Sequence, residues 1–309
     1  MSTTNVNNVL PTSGTVVNVN GVATKDVVNG PFVLYGGTAF QANTTTGGGS
    51  TIVGFRAMAN STGINNTAVG LVALQANTTG VNNTTVGSEA LKSNTTGNGN
   101  TAIGKSAMAT AVASDCVAIG LSTLNETTGN ENVGVGNGAG ASITSGSSNT
   151  LLGNATGFNI TTGSNNTCIG DEAAPATATT SNSITLGNGN IAVLRCNVTS
   201  ITSLSDARDK KEITELSAGL DFVKGLKPVE FVWNERNTAS GKRDIKDFGF
   251  IAQDLKKSQE DAKLADTLKL VYEENPEKLE ASYGKLIPVL VKAIQDLSAK
   301  VELLEAKKK

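Results

Sequence analysis

The chain has 309 residues, with 25 Lys and Arg against 27 Asp and Glu, and 34 glycines but no histidine. A formal charge of −2 without a basic excess argues against nucleic acid as a partner, and no apolar run is long enough to insert in a bilayer. A Ser-His nucleophile cannot be built, and neither the Cys residues nor the carboxylates show metal-ligand spacing, so no cofactor or metal is expected.

Residues 1–35 show no repeat and no motif. Beyond them glycine recurs at 54, 70, 87, 104, 120, 136, 153, 170 and 187, at intervals of 16 or 17 residues, and Gly36 reads as the first of the series. A period this regular means stacked copies of one small unit. The residue before each of the nine glycines is Val, Ile or Leu, as in Val69 and Val86, and a β-branched residue lies three before, as in Thr67 and Thr84. Those two positions share one face of a strand. A second apolar pair follows at plus three and plus four, as in Ala73-Leu74 and Ala90-Leu91, then turn formers such as Asn77-Thr78-Thr79-Gly80 and Asn94-Thr95-Thr96-Gly97. Each unit therefore predicts a short strand, a tight corner, a small apolar step and a polar turn. Asn, Gly and β-branched residues disfavour helix interiors, and so short a unit cannot hold two packed helices. Coils about 4.8 Å apart give a shaft of roughly 45 Å.

Two glycine-rich stretches invite nucleotide readings that the repeat explains better. Gly99–Ser106 fits the phosphate-loop spacing, but Gly104 is the repeat glycine, and the Gly134–Gly140 run suggests dinucleotide loops only by glycine content. Cys116 and Cys168 sit inside repeat units and read as small buried apolar residues, and Cys196 leaves the cysteine count odd. Asp171 and Glu172 read as solvated.

Composition changes after Leu204. Residues 1–204 hold five Lys and Arg and seven Asp and Glu; residues 205–309 hold twenty of each. The second part predicts an α+β domain of its own. It opens on Ser205-Asp206-Ala207-Arg208-Asp209-Lys210, followed by a predicted helix bearing Leu216, Leu220 and Val223. A strand with Val229, Phe231 and Trp233 on one face follows, then a strand running into a helix over Asp247–Leu255. From Ile287 the chain carries Leu290, Ile294, Leu297, Val301 and Leu304 at steps of three and four, a heptad seam on a helix over 287–305. Pro288 fits a helix start.

The frame Asn-Thr-Ala-Val-Gly…Ala-Leu…Asn-Thr-Thr-Gly at 66–80 resembles the head repeat of trimeric autotransporter adhesins, over about 36–190. That resemblance implies a left-handed parallel β-roll with three chains side by side. The start pattern Ser-Asp-x-Arg-x-Lys-x-x-Ile, the Gly-Phe-Ile-Ala-Gln segment at 249–253, Ser282–Leu286 and the heptad tail resemble the self-cleaving intramolecular chaperone domain of endosialidases and phage tail spikes. This second resemblance implies a homotrimer whose C-terminal domain drives fibre folding and then cuts itself off between Leu204 and Ser205. It places the catalytic serine on Ser205 and the lysine on Lys210. Serine needs a base in reach, and a Ser-Lys pair is one solution. The lysine would need burial or a nearby cation, with Arg208 and Lys211 as candidates and Asp206 free to orient either group. From spacing alone, the same run reads as a charged loop capping the helix after it.

The sequence reading is thus a mainly β, trimeric parallel β-roll shaft at 36–190, a linker at 191–204 and a chaperone domain at 205–309. No secretory signal is recognised at the start, so the expectation is a virion tail fibre made in the host cytoplasm. Residues 1–35 would then meet other tail or baseplate proteins. Exposed turns such as Asn77-Thr78-Thr79 would meet a host receptor or surface polysaccharide. Rival readings are a spacer or decoration fibre without a receptor and, less favoured because the seven carboxylates of residues 1–204 are scattered, a glycan-degrading spike.

Overall fold

A computed structural model describes residues 16–19, 22–25, 34–35, 49–59, 61–191, 193–195, 197, 205–234 and 246–308. The chain forms two compact units, Met1–Asn188 and Gly189–Lys309.

In the first unit, β1 (Val16–Val19) and β2 (Val22–Lys25) form an antiparallel hairpin. Then β3 (Leu34–Tyr35), β4 (Thr51–Val53), β5 (Thr67–Val69), β6 (Thr84–Val86), β7 (Thr101–Ile103), β8 (Val117–Ile119), β9 (Val133–Val135), β10 (Thr150–Leu152), β11 (Thr167–Ile169) and β12 (Ile184–Leu186) stack in chain order as one parallel ten-stranded sheet. Register follows the repeat, with Thr67 opposite Thr84 and Val69 opposite Val86. Tyr35 pairs with Val53, each just before a glycine of the series, so the stack opens where the spacing placed it.

The repeat glycine is fixed by two constraints. Its φ lies near +133° at Gly104 and +144° at Gly87, backbone that side chains rarely adopt. A Cβ on Gly104 would also stand 2.3 Å from the carbonyl oxygen of Gly120 in the next coil. The glycines therefore stack backbone on backbone.

The interior is filled by the middle residue of each strand. Ile52, Ala68, Thr85, Ala102, Ala118 and Leu151 are fully buried. The two flanking positions do share a face, as the alternation requires, but that face points out of the coil. Val86, Ile103, Ile119 and Leu152 are each 38–39% exposed, forming a column of large apolar side chains along the sheet. Within one chain, then, Val69 is half-buried and Val86 exposed.

Opposite the strands, the small apolar step supplies Leu74, Leu91, Met108 and Leu124, all buried, each contributing about 2 kcal/mol of burial. Near the later coils the volumes trade places. Gly140 and Gly157 occupy the step position, and a Cβ on either would come within 2.6–2.8 Å of a Leu151 methyl. Leu151 at the strand centre, with Ile143 and Ile160 in the turns, fills that space instead. In the Gly134–Gly140 run, Gly140 thus yields to Leu151, Gly134 to Thr123 and Leu124, and Gly136 is the repeat glycine. Phosphate binding does not explain Gly99–Ser106 either, because the strand there leads into the coil corner at Gly104 rather than into a helix.

Buried asparagines tie coil to coil. Asn83 Nδ2 donates to the Gly97 carbonyl at 2.9 Å, while its Oδ1 accepts from the backbone N–H of Asn100 at 3.0 Å. Asn66, Asn100, Asn132, Asn149 and Asn166 occupy the same column. Cys116 interrupts it: its Sγ lies 3.6 Å from the Gly129 carbonyl, and burial pushes its thiol pKa up. Cys168 is also buried, and Cys196 lies outside the described residues. A second column begins with Ser61, Asn77 and Asn94, where Asn77 Nδ2 donates to Ser61 Oγ at 2.7 Å. Asn77 is thus wholly internal, and of its turn only Thr78 and Thr79 are exposed.

The second unit contains α1 (Leu220–Lys224), β13 (Val229–Val232) paired antiparallel with β14 (Lys246–Gly249), α2 (Ala252–Asp261) and α3 (Ala265–Leu268). Then follow the pair β15 (Val271–Tyr272) and β16 (Glu280–Ala281), and α4 (Leu286–Ala306) of 21 residues. Val229, Phe231 and Trp233 lie half-buried on one face, as their alternation predicts, and the strand-to-helix step over 247–255 is present. The helix expected around Leu216 is shorter than its apolar spacing suggested. It begins at Leu220, after Gly219, where a Cβ would meet Asp296 Oδ2 at 2.0 Å. Ala218, Leu255, Leu270, Leu286 and Val289 form the core.

Candidate functional site

The site is built on one tight turn. Asp206 caps a single 3-10 turn, Ala207–Asp209, its Oδ1 accepting from the Arg208 backbone N–H at 2.9 Å. Lys210 follows in extended conformation, its N–H bonded to the Ala207 carbonyl. The turn brings the chain back on itself, and Lys210 Nζ reaches Ser205 Oγ at 2.6 Å and the Ser205 carbonyl at 3.2 Å. The structure therefore brings together the serine and the lysine expected from the sequence. Leu204, the other side of the expected scissile bond, lies outside the described residues.

The supporting groups behave differently from expectation. Asp206 orients neither Ser205 nor Lys210 directly. Its carboxylate holds the Arg208 guanidinium through Nε at 3.0 Å and Nη2 at 2.6 Å. These bonds hold the Asp206 carboxyl below the usual carboxylate range and raise the Arg208 pKa further. Arg208's charge is thereby engaged, and no described hydrogen bond joins Lys211 to the pair. Every residue from Ser205 to Glu215 is exposed, so one chain alone does not enclose the site. Among the described residues no group of His, Cys, Asp and Glu is placed to hold a metal, and no helix is long and apolar enough to cross a membrane.

Four further residues organise the domain, and spacing did not single them out. Asp296 on α4 accepts from the Leu220 N–H at 3.0 Å, so a residue 76 positions away caps α1. Lys292 pairs with it at 2.9 Å. Gln259, buried on α2, accepts from the Leu270 N–H at 2.9 Å. Tyr283 Oη bonds both the N–H and the carbonyl of Phe250, each at 3.1 Å. In sequence they read as ordinary polar residues, because the backbone groups that Asp296, Gln259 and Tyr283 bond lie 76, 11 and 33 positions away.

α4 presents two faces. Leu286, Val289 and Ala293 are buried against the domain. The seam residues Ile287, Leu290, Ile294, Leu297, Val301 and Leu304 are exposed, Ile294 by 67%. The heptad seam is thus a second unpartnered apolar surface besides the strand column.

Residues 205–264 match the family model described as chaperone of endosialidase. The match begins at the serine of the site and covers the turn, α1, β13, β14 and α2. Searches of curated proteins and of solved structures found no match. The family match implies a chaperone that folds a trimer of a tail-spike-like protein.

Proposed function

We propose that this chain is a homotrimeric fibre of a bacterial virus, in which residues 205–309 align and fold three chains and then cut themselves off before Ser205. The observation that carries the reading is the coincidence of the family match at 205 with the Lys210–Ser205 contact of 2.6 Å. The exposed seam of α4 and the apolar strand column supply surfaces for two further copies, since contiguous exposed apolar surface of this kind marks an interface. Both residue runs therefore have a use in a trimer that they lack in one chain.

The chemistry follows from the site's connectivity. Lys210 in its neutral form takes the Ser205 hydroxyl proton, and Oγ attacks the Leu204 carbonyl. The C–N bond breaks, the proton passes to the Ser205 nitrogen, and the resulting ester is hydrolysed by water. Closure of the site by neighbouring copies shields the Ser205–Lys210 pair from water, which makes cutting dependent on assembly and single-turnover. Localisation in a virion, contact of 1–35 with other tail proteins, and attachment through the exposed Thr-rich turns belong to the same proposal.

The test is an intact mass and N-terminal sequence of the purified full-length chain after incubation. The expected product is a 105-residue fragment beginning at Ser205, absent from Ser205→Ala and Lys210→Ala chains that still assemble as trimers. A fragment beginning elsewhere, or no fragment, refutes the cleavage assignment. A soluble trimer of residues 1–204 made alone counts against the chaperone role. A spacer without a receptor remains the second reading, favoured by burial of Asn77 and Asn94, which removes two amides from the turns expected to bind glycan.

A further inference from the structure

We propose that Asp206 is a positioning residue for this site: as cap of the 207–209 turn it sets the reach of Lys210 to Ser205, and its pairing with Arg208 is dispensable for that role. The inference rests on the self-cleavage reading but concerns a separable step.

Lys210 lies five residues beyond Ser205, a separation of roughly 17 Å in extended chain. A lysine side chain cannot bridge that distance, so the backbone must double back. The turn that does so is held by two backbone bonds of 3.2 Å, Asp209 N–H to the Asp206 carbonyl and Lys210 N–H to the Ala207 carbonyl. Short 3-10 turns have poor bond geometry and hold themselves weakly. The 2.9 Å bond from the Arg208 N–H to Asp206 Oδ1 is the third tie, made by a side chain within the turn itself, whereas the Lys210 Nζ bonds to Ser205 are the reach that the turn sets. Arg208 in turn is 88% exposed in its side chain, and an ion pair of that kind contributes little. Asp206 therefore acts through the backbone hydrogen bond, which needs an acceptor oxygen but no charge.

That distinction sets the experiment. Self-cleavage rates are measured on full-length chains carrying Asp206→Asn, Asp206→Ala and Arg208→Ala. Asparagine keeps the acceptor and is expected to cut within twofold of the parent. Alanine loses the cap and is expected to slow cutting about five- to tenfold, and Arg208→Ala stays within twofold. If Asp206→Asn is as slow as Asp206→Ala, the charge matters and the proposal fails; it fails equally if Arg208→Ala matches Asp206→Ala. Amide exchange at Arg208, read residue by residue in the uncut Ser205→Ala chain, is independent of cutting. Protection there, lost on adding Asp206→Ala and kept with Asp206→Asn, supports the cap; an unprotected amide with Asp206 present overturns it. A parent chain that never cuts refutes the self-cleavage reading alone, and the exchange measurement still decides the role of Asp206.

Discussion

A single residue type sets the geometry of each coil. The repeat glycine combines a positive φ with direct backbone contact to the glycine of the next coil, so any side chain there is both strained and obstructed. Gly104→Ala is expected to cost about 3 kcal/mol, seen as a lowered thermal midpoint of the assembled shaft; an unchanged midpoint would show that the coil can shift to admit a methyl. The glycine period was legible in sequence because both constraints repeat identically in every coil. Which strand residues fill the interior was not legible to the same degree. Two alternating sets, Thr67 with Val69 and Ala68 between them, are each compatible with a buried face, and alternation alone does not choose between them. In this chain the central residue turns inward, small in most coils but Ile52 and Leu151 in two, and the flanking Val, Ile and Leu set faces out.

At the scale of elements, the asparagine column and the α1–α4 clamp make opposite points about chain distance. Column members recur at the repeat period, so their partners could be inferred from the pattern; Asp296 capping α1 joins residues 76 apart and leaves no trace in spacing. The column is weakest at Cys116, whose sulfur replaces an amide. Cys116→Asn restores a donor to the Gly129 carbonyl and an acceptor for the next coil, and is expected to stabilise the shaft by about 1 kcal/mol, measured by denaturant midpoint. A decrease would mean that the amide does not fit beside Ala111 and Ala113. The clamp has a pH signature. The Leu220 N–H, then Lys292, hold the Asp296 carboxyl below its ordinary value. A carboxyl depressed in the folded state contributes stability above its unfolded pKa, and the contribution is lost as pH falls through the folded one. Acid titration of residues 205–309 within the full chain should therefore show α1 loosening below the usual carboxylate range, by amide exchange at Leu220, and Asp296→Ala should remove that pH dependence. The Ser205–Lys210 pair was legible only through the resemblance of its start pattern to the chaperone family, since spacing alone reads that run as a charged loop. The exposure of the pair was not, because it depends on what packs over the turn rather than on the motif's own spacing.

For the whole molecule, the two unpartnered apolar surfaces are the features that a single chain leaves unexplained. Replacing Ile294 and Leu297 together by Asp puts charge on the exposed seam without touching Leu286, Val289 or Ala293, which pack inward. The variant is expected to lose trimers in light scattering while the far-ultraviolet signal of the folded domain persists; retained trimers would assign assembly to the strand column instead. The stacking of coils has a separate consequence. Among the described residues each coil of the shaft bonds only to the one before and the one after. Between Gly70 and Gly104, where the strand centres stay small, the steps stay Leu and both asparagine columns are complete, whole coils are interchangeable parts. Recombination between in-register repeats can therefore add or remove reach in fixed increments while leaving both ends untouched. Beyond Gly134, where the volumes trade places, order matters and such crossovers would leave either a void or a clash.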